Sequence, residues 1–84
     1  MPVSFPLRTV RRRVLRALRH LLVGRARIAD HQRLHEDYHF SHYDRLELAL
    51  HLEREFPLTL HDHDIAGFST VGSVVACVRR HLGR

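Results

Sequence analysis

Hydrophobic positions recur at intervals of three and four residues in three stretches of this 84-residue chain, and no stretch shows the strict alternation of a half-buried strand. In the first, Val10, Val14, Leu18, Leu21 and Leu22 make one stripe. Pro6 suits a helix opening and Gly24 a helix end, so the pattern predicts a helix over residues 7–22. In the second, the stripe is Leu48, Ala49, Leu52 and Phe56. Ser41 with Asp44 three residues later reads as an N-cap close to a capping box, and Pro57 stops the helix because the residue before a proline resists the helical region. In the third, Val71, Val74, Val75, Val78 and Leu82 follow a cap at Ser69 or Thr70 and precede Gly83. The valines are β-prone, but helical spacing and the cap outweigh that propensity.

The segments between are read differently. Gly24 to Phe40 predicts a long loop anchored by Ile28, Leu34, Tyr38 and Phe40, and loops of this length in compact domains usually carry function. Leu58 to Phe68 is short and polar, with Asp62 and Asp64 suited to open one or two helical turns. The fold class expected is therefore all-α, a bundle of three main helices plus a short helical turn before the last. It forms a single domain over 1–84, with 1–6 as a flexible tail. A chain this short buries only about 60% of its unfolded surface, so its core is thin and a partner or a second copy could complete it.

The second helix carries a further apolar line, Tyr43, Leu46 and Leu50, bordered by Asp44, Glu47 and Glu53. A wide core-facing arc and a partner-binding strip explain it equally well.

Charge is distributed unevenly. Residues 1–29 hold eight arginines and no acid, 30–64 hold nine acids against three arginines, and the last twenty hold three arginines, for a net charge of +5. Arg11, Arg12, Arg13, Arg16 and Arg19 give the first helix a basic face. That face could meet phosphates, but no base-reading motif or aromatic stacking pair accompanies it and the acidic middle would repel the same ligand. Solvation, or docking on an acidic protein, is the expected role, and nucleic acid is not the expected partner. All fourteen basic residues are arginine, which reads as a composition bias.

Cys77 is the single cysteine, so no intramolecular disulfide forms. Its apolar surroundings predict a packing role. No run is long and apolar enough for a membrane span and the start lacks a secretory pattern, so a cytoplasmic protein is expected. Of nine histidines, His31, His35, His39 and His42 have helix-aligned spacing but lie mostly in the predicted loop, and His61 and His63 flank Asp62. Solvated histidines, with no metal site, are expected. His42 lacks a nucleophile or oxyanion donor at a defensible spacing, so no enzymatic activity is expected.

Glu36, Asp37, Tyr38, His39, Phe40, Ser41, His42, Tyr43 and Asp44 fall without a gap on the pattern Glu-Asp-Leu-Gly-Ala-Asp-Ser-Leu-Asp. The register continues through Glu47 and Leu48, then Glu53, Glu55 and Phe56, to Ser69, Thr70 and Val71. On these residues the chain resembles the acyl carrier protein family. In that family the serine opening the second helix receives a phosphopantetheine arm from coenzyme A by the action of a transferase. Here His42 holds that position, and an imidazole cannot form the stable phosphodiester.

Ser41 is the alternative attachment point, yet one residue of shift turns a helical side chain by about 100° and its hydroxyl is expected to serve as the cap. No cofactor is expected, and 4'-phosphopantetheine only if Ser41 is modified. His39 and Phe40 replace the family's Gly-Ala pair, which also disfavours the transferase. The resemblance implies a carrier without its arm that engages enzymes of a fatty-acid-like or polyketide-like pathway. Asp44, Glu47 and Glu53 would meet basic residues, and Leu46 and Leu50 would supply apolar contact. The alternatives are a working carrier modified at Ser41 and, in another class, an arginine-rich nucleic-acid-binding helical module.

Overall fold

The computed structural model describes residues 5–22, 24 and 27–83. Among these the chain forms α1 (Leu7–Arg19), α2 (Leu34–Tyr38), α3 (His42–Glu55), α4 (Asp62–Ala66) and α5 (Val71–Leu82), with no strand. The all-α class is as expected: three main helices with a short one before the last. The stripes read from the sequence are the ones that pack, since α1 lies against both α3 and α5. Val10, Val14 and Leu18 of α1, Leu48 and Leu52 of α3, and Val71, Val74 and Val78 of α5 are all buried, with Phe68 among them. Each such side chain contributes about 1.5–3 kcal/mol on removal from water.

Local chemistry sets the helix ends. Thr70 caps α5, its Oγ1 accepting the Ser73 N–H at 3.0 Å while Ser73 Oγ accepts the Thr70 N–H at 3.0 Å. α1 has no side-chain cap. The Pro6 carbonyl instead accepts the N–H groups of Thr9 and Val10, at 2.9 and 3.0 Å. α3 stops at Glu55 with Phe56 already extended before Pro57.

Three expectations change. Of the expected tail, residues 1–4 lie outside the described residues, but Phe5 is packed: its ring meets Phe56 edge-on with centroids 5.6 Å apart, and the Arg13 guanidinium lies 5.1 Å over it. Next, α1 closes at Arg19 instead of residue 22. The N–H groups of His20 and Leu21 reach back three residues in a tightened last turn, and Gly24 takes a left-handed φ of 85°.

The third change is within the expected long loop, which contains α2. Its first turn is held by Asp37 Oδ2, which accepts the Arg33 N–H at 2.6 Å, and that hydrogen bond keeps the Asp37 carboxyl below its ordinary value. Its end is a left-handed turn at His39, φ 60°, after which the Phe40 N–H reaches the Leu34 carbonyl at 2.9 Å. A helix of five residues has too few apolar positions to show a period in the sequence.

The same segment is stitched to the start of α5. Leu34 N–H donates to Ser69 O at 2.9 Å, Val71 N–H to Gln32 O at 3.0 Å and Gly72 N–H to Asp30 O at 2.8 Å. A Cβ at position 72 would stand 3.2 Å from that Asp30 carbonyl, so glycine is what permits the close approach.

Candidate functional site

The segment singled out by sequence lies at the start of α3. Ser41 is extended and its Oγ accepts the Asp44 N–H at 3.2 Å, while Asp44 Oδ2 accepts the Ser41 N–H at 2.7 Å and lies 3.1 Å from Ser41 Oγ. The hydroxyl is thus occupied as a cap, both as acceptor and as donor. His42, one position on, is exposed and lines a cleft of about 610 Å³ together with Arg45, Leu46, Asp62, Ile65 and Ala66, between α3 and α4. Arg45 helps hold that side of the molecule, its Nε donating to the Phe68 carbonyl at 3.1 Å.

The second apolar line of α3 is divided, with Leu46 packed against the core and the other two outside it. Tyr43 is 80% exposed and Leu50 57%, and Leu46 is half-buried at the cleft. Of the three acids bordering it, Glu47 is exposed with His51 Nε2 4.0 Å away. The other two are engaged within the chain: Asp44 in the cap, and Glu53 through Oε2, which accepts the Leu60 N–H at 2.8 Å and pins the α3–α4 connection. Their charge remains at the strip, but their oxygens are not free in the way the sequence suggested.

The basic face of α1 is likewise partly used internally. Arg11 pairs with Asp30 at 2.8 Å, Arg16 with Glu55 at 3.5 Å, and Arg13 donates to the Glu55 carbonyl at 3.1 Å. Arg12 and Arg19 are exposed. His31, His35, His39 and His42 do not come together as ligands among the described residues, because α2 and its left-handed end interrupt any continuous helix through them.

A different group does converge. Asp64, at the third position of α4, is the one buried charged residue among those described. Its Oδ2 accepts the His61 N–H at 3.0 Å and lies 3.1 Å from His81 Nε2. Its Oδ1 lies 3.8 Å from Cys77 Sγ and 3.6 Å from His63 Nε2. The His61 N–H is the main cause of an Asp64 pKa below its ordinary value, with burial opposing it and His81 assisting. Burial, then the Asp64 charge, pushes the Cys77 thiol up. Cys77 is buried in the core as its apolar surroundings predict, and it also faces a buried carboxylate. Cys77 and His81, four residues apart, share a face of α5, and that spacing was available in the sequence. The approach of Asp64 from another helix was not.

No helix among the described residues is long and apolar enough to cross a membrane. The chain matches no protein-family model, and comparison with curated proteins and with solved structures finds no match.

Proposed function

We propose that this chain is an acyl-carrier-like protein that has lost its prosthetic arm and acts by docking α3 on enzymes of an acyl-chain pathway. The observation that carries the reading is the start of α3, where the family's serine position holds an exposed histidine beside a cleft and the neighbouring serine is consumed as the cap. Two further features support it. Position 39, where the family pattern has glycine, has the left-handed backbone that glycine favours. Tyr43, Glu47 and Leu50 lie along one exposed line at helical spacing, a form suited to an apolar centre with a charged border. The internal pairing of Arg11, Arg13 and Arg16 weighs against the nucleic-acid reading, since it leaves fewer cations for a phosphate backbone.

Docking is tested by competition. The protein is expected to displace an ordinary acyl carrier from a fatty-acid-type ketosynthase, and Glu47→Lys is expected to abolish that displacement by putting a like charge against the enzyme's basic patch. No displacement by the natural protein, or undiminished displacement by the variant, would contradict the reading.

A further inference from the structure

We propose that Asp64, Cys77 and His81 form a binding site for a zinc-class divalent cation that ties α4 to α5. The three ligand atoms come from two helices and lie within 4.8 Å of one another in a largely buried setting. Ligands of one tetrahedral zinc, at the usual bond lengths, stand about 3.4–3.6 Å apart. Around Asp64 the neighbours are at 3.1 Å for His81 Nε2, 3.6 Å for His63 Nε2 and 3.8 Å for Cys77 Sγ.

The separation of Asp64 Oδ1 from Cys77 Sγ, 3.8 Å, is close to the edge of a coordination tetrahedron that holds a carboxylate oxygen and a thiolate. The other carboxylate oxygen, Oδ2, lies 3.1 Å from His81 Nε2 and also accepts the His61 N–H, a backbone hydrogen bond of the kind that orients a ligating carboxylate. The donor set selects the metal: thiolate and imidazole favour zinc over the hard cations calcium and magnesium, which take oxygen ligands.

Access is from the side where His81 is partly exposed and His63 largely so. Three protein ligands leave a fourth position open beside His63. Since α4 also forms one wall of the cleft below α3, through Asp62, Ile65 and Ala66, an ion here would fix that wall in place. The site stands on its own geometry and does not depend on the acyl-carrier reading.

The test is titration of the full chain with Co²⁺, followed by displacement with Zn²⁺. One equivalent of Co²⁺ is expected to give a thiolate-to-cobalt charge-transfer band and the intense visible bands of a tetrahedral centre, both erased by one equivalent of Zn²⁺. Cys77→Ser should remove the charge-transfer band, and His81→Gln should weaken Zn²⁺ binding by about tenfold or more. His35→Gln and His42→Gln, on exposed histidines, should change neither. The natural protein alone decides the matter if a variant fails to fold: saturation with Co²⁺ and no charge-transfer band overturns the site. So does Zn²⁺ affinity that survives in well-folded Cys77→Ser and His81→Gln but is lost in the surface variants.

Discussion

At His39 the backbone sits at φ 60°, a conformation in which Cβ crowds the following carbonyl and which costs most residues about 1–2 kcal/mol. Glycine escapes that cost but gives up about 0.5–1 kcal/mol of unfolded-chain entropy. His39→Gly is therefore expected to stabilise the fold by a net of about 0.5–1 kcal/mol in a denaturant titration. A loss of stability instead would mean that the imidazole makes a contact that outweighs the strain. Ser41 and Asp44 show the opposite economy, each satisfying the other's backbone N–H, which is why the serine beside His42 is poorly placed to leave the cap and serve as an attachment point. Asp64 is the residue on which most depends, because a buried carboxylate is tolerated only with partners and it has a backbone N–H, two imidazoles and a thiol around it.

At the scale of elements, the two faces of α3 differ sharply although both are apolar in sequence. Leu48 is wholly buried while Leu50 is more than half exposed. Leu48→Ala should cost about 2–5 kcal/mol through lost burial and the cavity left behind, whereas Leu50→Ala should stay within about 0.5 kcal/mol. Thermal or chemical unfolding of the two variants side by side checks this, and equal losses would mean that the exposed line is core after all. The main helices were legible because their signals are local: a cap at Ser41 or Thr70, a stop at Pro57, a stripe every three or four residues. The pairing of residues 30–34 with 69–72 was not, since it runs through backbone groups that leave little trace in side-chain identity, Gly72 being the exception. The same division holds for the sites. His42 and its neighbours could be read along the chain. The Asp64 cluster depends on the register between α4 and α5, and the burdens on Asp44 and Glu53 on loops that fold back to them.

For the whole molecule, the charge separation seen along the chain is partly closed on itself. Arg11 and Arg16 reach Asp30 and Glu55, pairs exposed enough to contribute only about 0–1 kcal/mol each and therefore more important for which charges remain outside. Among the charges left outside are Arg8, Arg12 and Arg19 on α1 and Glu47 on α3. Screening at physiological salt limits the reach of exposed charges to about 8 Å. A partner at the α3 strip therefore meets its local acids more than the net charge of +5. The central claim, that this is a carrier fold without its arm, turns on what a transferase does with the first turn of α3. Incubation with coenzyme A and a broad-specificity phosphopantetheinyl transferase, read by intact mass, should leave the natural protein unchanged and add one phosphopantetheine unit to His42→Ser. Addition to the natural protein, mapped to Ser41, or no addition to the serine variant, would contradict it.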